Sequence, residues 1–301
     1  MHEAVIGYET SPQGEDALAL GGMLCEVLAA RPLIATALPF SSAAMGMENL
    51  VKSLEVHNAE LLAARDRLSE LAPKSRAIGS RSPADGLLRL ADEVDASLIV
   101  VGSSHRGPLG RVVFGSTAER VMRRASTPVA VAPRDFARHV DRHLLRIAVA
   151  YDGSVESIRA LEAGVALTER IDGSLSVLHA VEPVRLGYGT MVEVLAGDED
   201  PLGENVSSRI LEEGLSRVPA GLPVDGLLLN GAPSSEIPKA AGAYDLLILG
   251  SRGYGPLLRT ALGSVSGPAA RRAPCPILVV PRGARAIGAW LAGDVCTAEG
   301  A

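Results

Sequence analysis

Small residues at fixed spacing mark the part of this 301-residue chain best suited to chemistry. Gly250, Gly253, Gly263 and Ser264 stand as Gly-x2-Gly-x9-Gly-Ser, with Val265 directly after them. A short apolar run, Leu246 to Leu249, precedes the first glycine and reads as a buried strand of a parallel sheet. A helix-like segment follows the last glycine, ends at Pro274 and Pro276, and gives way to a second apolar run, Ile277 to Val280. Glycine permits positive φ and leaves main-chain N–H groups bare, and a helix N-terminus adds partial positive charge. Strand, glycine loop, helix and strand in that order predict an anion site, with phosphate as the ligand that suits it best.

The spacing of these four residues, in this context, resembles the nucleotide-binding signature of the universal stress protein family. The resemblance implies ATP as the ligand, with Gly253, Gly263 and Ser264 on the phosphates. It also implies that Asp152, as a carboxylate acceptor, and Val181, through main-chain groups, hold the adenosine beside Gly250. An acid at a helix N-terminus is common without any ligand, so Asp152 points to a site only together with the loop motif. The first half of the chain offers a second, altered site in Glu9, Gly102, His105, Gly115 and Ser116. There Glu9 replaces the aspartate, Ala37 falls near the position of Val181, and His105 takes the position of Gly253. The resemblance implies a regulatory protein whose ATP occupancy biases conformation or partner choice, with Mg²⁺ as a compatible companion. Two alternatives stand beside it: a weak ATPase of related fold, and a scaffold that binds no nucleotide. Arg252 and Arg259 lie near the second loop, but no base for hydrolysis is evident there.

The elements that must position these residues come twice. Gly102 to Arg134 aligns with Gly250 to Arg282 without a gap, sharing Gly102/Gly250, Gly115/Gly263, Ser116/Ser264, Arg123/Arg271 and Pro128/Pro276 among others. Tyr8-Glu9 likewise corresponds to Tyr151-Asp152. A period of domain size means tandem duplication, not a solenoid. Each half alternates strands with helices: Ala4 to Tyr8, Gly14 to Ala30, Leu33 to Leu38 and Glu48 to Leu71 in the first, with Arg146 to Tyr151, Glu156 to Arg170, Leu175 to Val181 and Glu204 to Arg217 in the second. Ser11-Pro12 and Ser82-Pro83 are helix starts, the latter with Asp85 in capping-box position, and Ser116 with Glu119 predicts another box. Gly267-Pro268 lies inside the expected first turn after Ser264, where proline deletes an early helical hydrogen bond unless the helix starts later.

The fold expected is α/β: two tandem Rossmann-like domains, each a five-stranded parallel sheet flanked by helices. The resemblance adds the strand order 3-2-1-4-5 and places the ligand outside the carboxyl ends of the strands, where the order reverses. The domains are expected at 1–140 and 145–283, with a disordered tail over 284–301. The last strands, Val129 to Ala132 and Ile277 to Val280, are expected to pair the halves, since apolar edges need covering. Further association of two chains is left open.

Composition narrows the partners. With 47% hydrophobic residues, 21% charged and a net charge of −6, nothing favours nucleic acid. The first strand begins almost at Met1, which is expected to leave no room for a signal peptide. Glu26, Arg31 and Pro32 interrupt the most apolar stretch, so no membrane span is expected. Cys25, Cys275 and Cys296 have no paired spacing, which fits a reducing cytoplasm better than a disulfide framework. Pro183 to Asn205 reads as a long solvated loop, with a lid over the second site as the alternative. No lysine follows a glycine, Leu258 stands where a dinucleotide fingerprint needs its third glycine, and neither a zinc-protease nor a nucleophile-elbow motif is present.

Overall fold

The computed structural model describes residues 2–39, 47–104, 112, 114–138, 143–181, 204–251, 266–282, 284 and 290. In the first half the chain runs β1 (Glu3–Gly7), α1 (Pro12–Leu28), β2 (Arg31–Pro39), α2 (Met47–Arg67), β3 (Lys74–Ser80), α3 (Pro83–Glu93), β4 (Leu98–Gly102), α4 (Ser116–Arg124) and β5 (Val129–Ala132). The second half repeats the series as β6 (Arg146–Ala150), α5 (Val155–Thr168), β7 (Ser174–Val181), α6 (Glu204–Ser216), β8 (Val224–Asn230), α7 (Pro233–Ala240), β9 (Leu246–Gly250), α8 (Ser266–Ala270) and β10 (Ile277–Val280).

The described strands form one sheet in the order β3-β2-β1-β4-β5-β10-β9-β6-β7-β8. Every pairing within a half is parallel, as apolar strands joined by crossover helices require. The halves meet where β5 and β10 run antiparallel, with Ile277 opposite Val131 and Val279 opposite Val129. Both of these strands are buried throughout. Alternation along each strand divides the core in two. Ala4 and Ile6 of β1 pack with Leu18, Leu20 and Leu24 of α1, Leu61 of α2 and Leu161 of α5 on one face. Val5 packs with Leu87 of α3, Val121 of α4 and Ile237 of α7 on the other.

Helix starts follow local chemistry. Ser11 and Ser82 cap α1 and α3, accepting from the N–H groups of Gly14 and Asp85, each at 3.2 Å, with proline in the first turn. The capping box expected at Ser116 and Glu119 does not form. Gly115 is the N-cap of α4 and makes no side-chain cap bond, while Glu119 turns to Arg123 and Arg271. Two arginines outcompete a single main-chain N–H for one carboxylate. α8 is described from Ser266, which places Pro268 in the first described turn.

The tail expected to be disordered is anchored at two points. Ala284 is buried, and Trp290 is 3% exposed in the core beside α1 and α5. The Arg170 guanidinium holds the Trp290 carbonyl. The 183–203 part of the expected loop lies outside the described residues.

Candidate functional site

In the second half, three strand ends converge where the sheet order reverses. β6 ends at Ala150, and Tyr151-Asp152 lead into Ser154, the N-cap of α5, whose hydroxyl oxygen accepts from the Ser157 N–H at 3.2 Å. Asp152 Oδ1 accepts from the Ser154 N–H at 3.1 Å and from the Ser154 hydroxyl, so the carboxylate is fixed at the helix N-terminus. β7 lies alongside and brings His179, whose Nδ1 is 2.8 Å from the Tyr151 carbonyl oxygen. β9 ends at Gly250, and a Cβ there would lie 2.5 Å from both the carbonyl carbon and oxygen of Glu156. Glycine therefore lets the first turn of α5 press onto the end of β9. The result is a cavity of about 220 Å³ whose walls include Asp152, Ser154, Ser157, His179 and Gly250, with Pro233 and Ile237 of α7 across from them.

The first half builds a counterpart of about 170 Å³ from Glu9, Gln13, Thr36, Gly102 and Thr117. A Cβ on Gly102 would stand 2.2 Å from the Gln13 carbonyl oxygen, the same close approach by α1. Thr36 Oγ1 donates to the Tyr8 carbonyl at 2.8 Å. Sheet register aligns Thr36 with His179, because the Tyr8 N–H bonds to Ala35 as the Tyr151 N–H bonds to Leu178. It follows that Ala37 corresponds to Ala180 and Leu38 to Val181, one position away from the sequence alignment.

Of the residues singled out by sequence, the structure brings together Asp152 with Gly250, and Glu9 with Gly102. Val181 stands apart from the cavity wall: its carbonyl accepts from the Gly231 N–H at 2.8 Å, and Ala180 occupies the wall instead. Gly115 and Ser116 begin α4 beside Thr117. Gly253, Gly263, Ser264, Val265 and His105 lie outside the described residues. Sequence reasoning missed His179, Ser157 and Ile237. Only His179 left a signal, the one ionisable residue in the run Ser174 to Val181.

Charge around the strand ends is organised by tyrosine–glutamate–arginine groups. In the first half Tyr8 donates to Glu15 at 2.9 Å, and Arg67 pairs with Glu15. Burial, then the Glu15 carboxylate, raises the Tyr8 phenol, while the Arg67 hydrogen bond holds Glu15 below the usual carboxylate range. In the second half Tyr151, Glu213 and Arg217 repeat the arrangement from a different helix, with Glu213 lowered chiefly by Arg217. Among the described residues no cluster of three or more His, Cys, Asp or Glu could hold a metal ion, and no helix is long and apolar enough to cross a membrane.

Comparison with known proteins gives this arrangement its context. The family model described as "Universal stress protein family" matches the chain twice, over residues 1–133 and 144–281. The chain belongs to the universal stress protein family. A universal stress protein of Mycobacterium tuberculosis is 26% identical, covering 92% of this chain and 99% of its own length. One from Thermus aquaticus is 34% identical over 146 residues, 44% of this chain and 96% of the relative. The crystal structure of a universal stress protein from Archaeoglobus fulgidus superposes with a TM-score of 0.68 at 19% identity, covering 93% of this chain and 98% of that one. At that identity the match speaks for the shared fold alone.

Proposed function

We propose that this universal stress protein binds ATP in its second half, and that occupancy rather than turnover is its output. One observation carries the reading: Asp152, His179 and Gly250 converge from three strand ends on one cavity, and Gly250 is also the first residue of the Gly-x2-Gly-x9-Gly-Ser run. Small-molecule pockets usually span roughly 300–1,000 Å³. The cavity of about 220 Å³ suits the adenosine end, which leaves the triphosphate to Gly253, Gly263, Ser264 and Val265. Any Mg²⁺ would arrive with the triphosphate, coordinated by its oxygens.

The first half binds more weakly on this reading. Glu9 is one methylene longer than Asp152, and His105 stands where the loop needs its second glycine. The antiparallel contact of β5 with β10 holds the halves together in solution, and the buried Cys25 thiol suits a reducing cytoplasm.

The test is to denature freshly purified protein and identify the released nucleotide by chromatography, then titrate stripped protein with ATP. The expected outcome is unhydrolysed ATP and one dominant binding event abolished by Asp152→Ala. Protein that carries no nucleotide and takes up none from solution would refute the proposal. Stoichiometric accumulation of ADP would favour the weak ATPase instead.

A further inference from the structure

The same structural task is met differently at the two strand ends. At the end of β1 the Tyr8 carbonyl is satisfied by the Thr36 hydroxyl, and at the end of β6 the Tyr151 carbonyl is satisfied by His179, both at 2.8 Å. A carbonyl can only accept, so Nδ1 of His179 carries a hydrogen, and in the Nδ1–H tautomer of the ring Nε2 is an acceptor. His179 is 7% exposed and lines the second cavity. Nε2 has no protein hydrogen-bond partner among the described residues, nor is it one of the solvent-occluded orphan atoms there. The atom therefore opens onto the cavity. Threonine suffices to hold the carbonyl, so the imidazole is more than that task needs.

We infer that His179 is a specificity-determining residue of the second site, its Nε2 accepting a hydrogen bond from a donor on the nucleoside part of the ligand. This rests on the ATP reading above and deepens it. The donor is a ribose hydroxyl or the exocyclic amine of the base, the two chemistries that an uncharged acceptor in this pocket can read. Thr36 has no second ring nitrogen to offer, so the first half lacks this discrimination even where it admits a ligand. A buried acceptor left without its donor rejects the analogue that lacks it, which is how a polar pocket discriminates strongly.

The experiment pairs one substitution with a set of ligands. His179→Thr copies the first half and keeps the bond to the Tyr151 carbonyl, so its thermal midpoint without ligand should match wild type. His179→Asn, whose amide also donates, serves if the threonine variant does not fold. Wild type and variant are titrated calorimetrically with ATP, 2′-deoxy-ATP, 3′-deoxy-ATP and ITP. The variant should bind ATP about tenfold more weakly, the loss of one hydrogen bond in a closed site. For the analogue missing the partner group, wild type should already be weak and the variant no weaker. Equal ATP affinity in wild type and variant, or the same loss with every ligand, would overturn the assignment while leaving ATP binding intact. Wild type that binds none of the four removes the ATP reading and this inference with it.

Discussion

Replacing Gly250 by alanine puts a methyl group 2.5 Å from the carbonyl carbon and oxygen of Glu156 and 2.9 Å from the Ser157 nitrogen. These are main-chain atoms in the first turn of α5, so no rotamer change can relieve the contact. The optimum for such contacts is about 3.5–4.0 Å, so strand and helix must separate by about 1 Å. Inserting a methylene into a close-packed site costs about 1–3 kcal/mol. Reduced freedom of the unfolded chain returns only about 0.4–1 kcal/mol, so destabilisation wins. At about 2–4 °C per kcal/mol for a unit of this size, the midpoint should fall by several degrees. Gly115→Ala is the control. At Gly115 φ is −77° and the nearest atom to an added Cβ is 3.8 Å away, so nothing must move. There the N-cap preference for glycine and the unfolded-state entropy oppose each other, each at about 1 kcal/mol or less. Thermal melts of both full-length variants, without ligand, decide the matter. A Gly250→Ala protein that melts with wild type, or a Gly115→Ala protein that loses as much, would show that the glycine at the strand end is not there to admit the helix.

Gly263→Val should weaken ATP binding far more than Gly115→Val, read by calorimetry; the reverse order would mean that the first half holds the better site. Trp290→Ala should destabilise by about 3–5 kcal/mol, the usual cost of emptying a buried aromatic site, measured by denaturant unfolding followed by circular dichroism. An unchanged midpoint there would show that the ring is dispensable to the core. Glu15 has a lowered carboxyl pKa in the folded state, so it adds stability above its ordinary value near 4.5 that is lost as pH falls through the folded pKa. Arg67→Met should therefore flatten the acid limb of the stability profile while costing at most about 1 kcal/mol at neutral pH, as befits a partly exposed pair. An acid limb as steep as wild type would remove Arg67 as the cause.

The βα alternation was legible because most strands are apolar runs, several of them closed by glycine or proline, and because each half repeats the pattern; β3, with Lys74, Ser75 and Arg76, is the weak signal. Leu246 to Leu249 and Ile277 to Val280 needed no tertiary information to be recognised. Asp152 and Gly250 were legible for a related reason: they end strands, and ends of parallel strands gather at one edge of the sheet. The residues missed depend on partners far along the chain. Glu119 looks like half of a capping box until Arg271, 152 residues away, arrives beside it. Trp290 looks like part of a tail until Arg170, just past α5, holds its carbonyl and the core takes its ring. Val181 and Ala180 are neighbours on β7, and only the pairing of β6 with β7 tells which of them lines the cavity.

Near-identical motifs in the two halves have different neighbours at the seam between them. The Val112 N–H donates to the Ala273 carbonyl at 3.0 Å, and the Arg271 guanidinium lies 5.6 Å from the centre of the Phe114 ring while bonding Glu119 at 2.7 Å. Second-half residues thus hold the segment that leads into α4 of the first half. The reciprocal contact has no acid to use, because the constant offset puts Gly267 where Glu119 stands, and Arg123 turns to Glu119 of its own helix at 2.7 Å. One carboxylate consequently receives two guanidiniums, one from each half, and is held below the ordinary range chiefly by Arg123. The ion pair alone is worth little at this exposure. Coupled to a main-chain bond and a ring contact, it ties second-half residues to the start of α4 in the first half. Duplication supplied two copies of the motif, and single residues at its border, Glu119 against Gly267 and Thr36 against His179, give the two copies different surroundings.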